Sequence, residues 1–237
     1  MKHSVSTAAW AGRQICFALL RGERKTLSIS VNPDGEVLVR APQDISLEDI
    51  IERVGRRGGW ISRQQAYFEQ WRPRTPPRTY EPGETHLVLG RQYRLDVRQG
   101  IQEGVMLEGD RLVLSMHRPS CVNTRREILA RWYLVRAREV YARRLNVLFR
   151  SFAHDGHPRP RIIVRELSQR WGSLTKAGNM VLSRDLIRAP RVCIDYVIVH
   201  ELCHLVYADH GPHFWALLDR LMPDHAKRKA RLERVLL

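Results

Sequence analysis

The segment HELCHLVYADHGPHFW, residues 200–215, sets His200 and His204 four apart, with Glu201 beside the first. On a helix four residues make a little more than one turn, so both imidazoles leave one face at the spacing that lets two histidines hold one metal ion. Glu201 stands about 100° round the same helix, where it can reach a water on such an ion without binding the ion itself. In this HExxH arrangement the carboxylate takes a proton from water, and zinc lowers the pKa of that water to about 7. The chemistry is hydrolysis. A catalytic zinc keeps three protein ligands and one open position. His210 is the leading candidate for the third ligand, six residues after His204 and followed by Gly211, which frees the backbone to turn back. His213 and Asp209 are its rivals. Cys203 points about 100° away from His204, toward the packed side. One zinc ion per chain is expected.

Elements must position these residues. The run CIDYVIVHELCHLVY is apolar on most sides, which predicts a buried helix starting near Pro190. Polar groups on such a helix need partners, and a metal would supply one for the histidines. Gly211-Pro212 ends it, and a last helical region runs from about 213, interrupted at Pro223. Upstream, residues 161–186 read as two strands around a polar turn ending in Gly178-Asn179, after a loop at 154–160. Residues 123–152 predict a long helix with an apolar stripe through Ile128, Trp132, Val135, Val140 and Leu145. Short alternating runs at 86–89, 91–97, 105–108 and 111–115 predict antiparallel strands. A proline-rich connector covers 72–84. Residues 46–71 predict a helix capped by Ser46, with a break or kink at Gly58-Gly59, and residues 25–42 a hairpin about NPDG. Residues 1–20 carry no clear signal, and partial disorder is expected there. No internal repeat is legible.

The whole is an α+β protein of two regions packed as one compact unit. Residues 20–118 form a β-rich N-terminal platform with a helix, and residues 119–237 carry the long helix, the strands and the HExxH helix. With 237 residues there is room for a buried core. No apolar run approaches the roughly 20 residues that span a bilayer, and ICFALL at 15–20 is too short for a secretory core. Cys16, Cys121, Cys193 and Cys203 form no CxxC pair. A cytoplasmic protein with no membrane partner is expected. The net charge of +15 comes from 35 Arg against 5 Lys. Such a surplus permits contact with DNA or another polyanion, although the arginines are spread along the chain.

Residues 170–224, from RWGSLTKAGN through DYVIVHELCH and HGPHFW to MPD, resemble the catalytic segment of YgjP-like metallopeptidases. These are minimal zincins related to the SprT and WLM groups. A weaker resemblance begins near residue 24. It implies zinc held by His200, His204 and His210, with Glu201 as general base. It implies a strand at Arg170, Trp171, Gly172 and Ser173 beside the substrate cleft, where an extended polypeptide would bind by its main chain. Phe214 and Trp215 match an aromatic pair packed under the site. The family often has Cys where Leu174 stands, and Asn where Ser183-Arg184 stand, which bears on substrate preference. Tyr196, one turn before His200, is a candidate for oxyanion stabilisation beside Arg170 and His213.

The leading expectation is a zinc-dependent peptidase. A metal-dependent nucleoside triphosphate pyrophosphohydrolase is the alternative, since an Arg-rich cleft suits phosphate, though no P-loop is present. A basic nucleic-acid-associated protein with structural zinc is the third reading. It leaves Glu201 without a purpose, and structural zinc usually takes four protein ligands.

Overall fold

The structure is a computed structural model that describes residues 4–32, 34–70, 78–153, 156–167 and 170–236. Residues 72–77 of the proline-rich connector and part of the 154–160 loop lie outside them. The chain divides into two units, residues 1–75 and 76–236. The first opens with a hairpin, β1 (Ser4–Trp10) and β2 (Arg13–Gly22), which corrects the expectation of partial disorder over residues 1–20. Ile15, Phe17 and Leu19 alternate inward along β2, a period-two signal. The strands β3 (Ser28–Val31) and β4 (Val37–Pro42) form the expected hairpin, and β4 runs parallel to β2. Helices α1 (Leu47–Arg56) and α2 (Gly58–Glu69) follow, with Ser46 accepting from the N–H of Asp49 as the cap. The break falls at Arg57. A Cβ on Gly58 would stand 2.0 Å from Cγ of Trp10, so only glycine admits the indole there.

The second unit holds the strands β5 (Thr85–Val88), β6 (Arg91–Gln99), β7 (Gly104–Glu108) and β8 (Arg111–Met116). They pair antiparallel at β5/β6 and β7/β8, but β6 and β8 are parallel, which corrects the all-antiparallel expectation. Helix α3 (Val122–Leu148) and the short α4 (Arg150–Ala153) come next. Leu112, Leu114 and Met116 share one core with Leu129, Tyr133 and Leu145 of α3. The division expected at 118/119 therefore falls within this unit. The buried stripe of α3 holds Ile128, Val140 and Leu145 as expected and adds Leu129, Tyr133, Ala137 and Tyr141 at i+4 steps, while Val135 is 48% exposed. The 161–186 stretch makes three strands rather than two. They are β9 (Arg161–Arg165), β10 (Gly172–Leu174) and β11 (Asn179–Ser183), in the order β10-β11-β9 with β9 parallel to β11. A 3-10 turn at Arg184–Arg188 leads to α5 (Arg191–Cys203), and α6 (Pro212–Leu221) and α7 (His225–Leu236) complete the chain on either side of Pro223. Among the described residues no helix is long and apolar enough to cross a membrane.

The two four-stranded sheets repeat one plan. Their orders, β1-β2-β4-β3 and β5-β6-β8-β7, match strand for strand, as do their parallel and antiparallel pairings. Each first hairpin closes on two residues with positive φ, Ala11-Gly12 (47° and 74°) and Leu89-Gly90 (52° and 80°). That pair of angles suits the right-handed twist of the flanking strands. Gly-Arg-Gln follows at 12–14 and again at 90–92. A helix follows each sheet.

Three contacts in the second unit fix α5. The guanidinium of Arg144 on α3 holds Asp195 in a two-pronged pair at 2.6 and 2.9 Å. The hydroxyl of Tyr141 donates to the carbonyl of Ser183 at 2.9 Å. The turn N–H groups of Leu89 and Gly90 donate to the carbonyls of Ile187 and Arg188, just before α5. Gly90 lies so close to Pro190 that a Cβ would meet the ring at 2.6 Å.

His86 on β5 is 1% exposed, and among the described residues neither ring nitrogen has a hydrogen-bond partner. Burial first, then the charges of Arg78 and Arg188, bring its pKa down from 6.5 to about 4. Between those values the unfolded chain binds a proton that the folded chain refuses. Stability present above pH 6.5 is therefore lost as pH falls toward 4, by about 3 kcal/mol. In His86→Leu that share of the pH dependence is expected to vanish. Urea unfolding of both proteins at pH 7 and pH 4 measures it, and equal pH slopes would refute the assignment.

Candidate metal centre

Helix α5 is buried along most of its length, with Ile194, Ile198 and Leu202 fully covered. It ends at Cys203, and His204 follows with near-helical angles, φ −71° and ψ −11°. The four-residue spacing of His200 and His204 is thereby kept. The chain then reverses, and Nε2 of His210 comes to 3.0 Å from Nε2 of His200. One ligand nitrogen from each of His200, His204 and His210 lies within 4.8 Å of the others. Phe214 packs beneath all three rings, with centroids 5.0, 4.7 and 4.7 Å away.

The donor set fits a metal ion. Two imidazole nitrogens on a tetrahedral zinc stand about 3.3 Å apart, given zinc–nitrogen bonds near 2.0–2.1 Å, and the His200–His210 pair, at 3.0 Å, is within a few tenths of that. Nδ1 of His204 lies 3.0 Å from the carbonyl of Tyr207. Donating there, it leaves Nε2 with a free lone pair, the outer-sphere support usual for a ligating histidine. Burial first, then His204 and His210, bring the His200 pKa down to about 3, so its imidazole is neutral. Burial also lowers His210. Neutral imidazole is the ligating form, and it suits zinc, copper, iron or nickel. His210 is exposed, so the group opens to solvent.

Glu201 is 5% exposed, and its pKa is raised to about 7 by burial. The N–H of Leu174 and the charge of Arg170 pull the other way. The strand β10 passes directly over this carboxylate: a Cβ on Gly172 would stand 3.0 Å from both Cγ and Oε1 of Glu201. β10 is an edge strand of its sheet. Ser183 N–H donates to the carbonyl of Trp171, and Thr175 N–H to that of Asn179, so by alternation Gly172 and Leu174 turn their backbone groups to the open edge.

The residues singled out from the sequence fall in two places. Arg170, Trp171, Gly172 and Ser173 lie in or beside β10, and Arg170 is exposed. The ring of Tyr196 lies 5.9 Å from that of His200 and stacks on His225 at 6.5 Å, and burial raises its pKa to about 12. The two rivals for the third ligand lie elsewhere. His213 stacks on Tyr207 at 6.0 Å, and Oδ1 of Asp209 accepts the N–H of Gly211. Gly211 is extended, with φ −69°, so the reversal does not draw on glycine's left-handed freedom. Sequence reasoning passed over Tyr207, which acts through its carbonyl and leaves no side-chain signal. It also passed over His225, which packs on Tyr196 and Trp215.

Comparison with known proteins places this geometry in a family. A search of the curated proteins finds no match. Among solved structures the chain is similar to the metallopeptidase zymogen of Pyrococcus abyssi abylysin, at 21% identity and a TM-score of 0.32, covering 43% of this chain and 99% of that one. The family described as YgjP-like, metallopeptidase domain, matches residues 25–235. A match over that much of the sequence leaves one conclusion: this chain belongs to the YgjP-like metallopeptidase domain family.

Proposed function

We propose that the protein is a zinc-dependent peptidase, with His200, His204 and His210 as ligands and Glu201 as general base. The observation that carries this reading is the convergence of three imidazoles with the buried Glu201 at the foot of an open strand edge. A divalent ion held by three histidines supplies Lewis acidity toward a carbonyl and toward water. The chain's own part begins with binding. An extended polypeptide would add to the free edge of β10, bonding to the backbone groups of Gly172 and to the carbonyl of Leu174. Glu201 then takes a proton from the attacking water and returns it to the leaving amine nitrogen. A pKa lifted by burial suits a group that must both accept and release a proton, and Leu174 N–H holds the carboxylate in place. Tyr196 and Arg170 are the candidates to meet the oxyanion.

The test uses protein purified without an affinity tag. Zinc is measured by mass spectrometry, and hydrolysis is followed on an unfolded polypeptide such as casein and, separately, on a nucleoside triphosphate. The expected result is one zinc per chain and cleavage of the polypeptide that stops on chelation and returns with added zinc. Triphosphate hydrolysis in place of peptide cleavage, or failure to take up metal, would overturn the reading.

A further inference from the structure

A cavity of about 400 Å³ opens beside α6, lined in part by His157, Tyr207, His213, Leu217 and Arg220. It is not the metal centre. Positions 213, 217 and 220 share one flank of α6, whereas Phe214, beneath the three histidines, and Leu218 lie on the buried flank. The volume falls in the range of small-molecule sites. Phe152, Val206, Leu217 and Leu221 give it apolar walls. Its one permanently charged lining group is Arg220, set among the polar side chains of Ser151, His157, Tyr207 and His213, and among the described residues no carboxylate lines it. Among the described residues Arg220 has no ion-pair partner. One permanent positive charge against an apolar wall matches a small anion with one negative charge and an apolar body.

The wall of this cavity is also the support of a histidine at the metal centre. The ring of Tyr207 lines the cavity and stacks on His213, while its carbonyl accepts from Nδ1 of His204. We propose that the cavity is a second ligand site, for a small carboxylate with an apolar body, and that its occupancy is felt at His204 through Tyr207. The coupling rests on the reading of His204 as a metal ligand, whereas the site itself does not. By linkage, whatever the ligand does to metal affinity the metal does to ligand affinity.

The probe is N-acetylphenylalanine, titrated into the isotope-labelled protein as purified and followed by amide resonances, with its uncharged amide and phenyl phosphate in parallel. Saturable shifts centred on Val206, Tyr207 and His213 are expected for the carboxylate, with the amide about tenfold weaker or more. Arg220→Ala is expected to weaken the carboxylate by a similar factor while metal content stays as in the parent. Phenyl phosphate binding more tightly would reassign the head group to phosphate and overturn the carboxylate. No saturable binding, or binding unchanged by Arg220→Ala, would overturn the site and place any residual affinity at the histidine group. The rate at which zinc passes to a chelator, with and without saturating N-acetylphenylalanine, tests the coupling. A changed rate supports it, and an equal rate removes it. If the protein takes up no zinc, the peptidase reading fails, and the titration still decides the site.

Discussion

In a Glu201→Gln protein, polypeptide hydrolysis is expected to fall by a factor of about 10² to 10⁴, the usual contribution of a positioned acid–base group, with zinc content unchanged. The substitution keeps the volume that fills the space under Gly172, where a Cβ would already touch the side chain at 3.0 Å. It also keeps an oxygen that can accept from Leu174 N–H. What it removes is the capacity to bind and release a proton. Glu201 is not one of the three grouped ligand residues, so the metal is expected to stay. Steady-state turnover on casein and metal analysis of the same preparation give both answers. Near-normal turnover would end the general-base assignment. Loss of metal together with activity would mean that the carboxylate belongs to the ligand set.

The second large effect is on the metal itself. His204→Ala and His210→Ala are each expected to lower zinc affinity by more than the roughly 10- to 100-fold that loss of an outer-shell partner costs. Purified protein would then hold well under one zinc per chain. The two should not be equal in stability. His204 ties the turn after α5 to the carbonyl of Tyr207, so its loss also frees a backbone acceptor. His210 is exposed, and among the described residues its ring bonds only toward His200. Thermal unfolding of the metal-free variants is expected to show His204→Ala as the less stable. Full zinc content in His210→Ala would hand the third position to another donor.

Much of this centre is legible in the chain because it is local. The spacing of His200 and His204 survives folding whatever else the protein does, and the apolar letters around them announce a buried helix. His210 is close enough in sequence that few placements are open to it. What was not legible is non-local. Alternation along β2 or β6 says which face is buried but not which strand lies alongside, so the parallel pairs β2/β4 and β6/β8 leave no mark. The first hairpin turn escaped notice because Ala11 takes a positive φ usually given to Gly, Asn or Asp. The stripe of α3 is only partly legible because Val135 is apolar yet exposed, and the tyrosines at 133 and 141 lie on the buried face. Tyr133 and Tyr141 are held there by bonds to the carbonyls of Leu87 and Ser183, which no helix periodicity contains.

The repeated sheet sets the chain a problem of self-recognition while it folds. Two segments that share strand order, pairing sense and first turn are each a plausible mate for the other's strands, and tandem units are prone to such misassembly. The two turns differ in their surroundings. Around Gly12 there is open space, whereas Leu89 and Gly90 give their N–H groups to Ile187 and Arg188, and Gly90 leaves no room for a Cβ against Pro190. An exchanged hairpin would bring Ala11 and Gly12 to that seat but leave Tyr93 and Leu95 without the core that α3 and α5 provide. The core behind Tyr93 and Leu95, more than the turn itself, is therefore what separates the two hairpins.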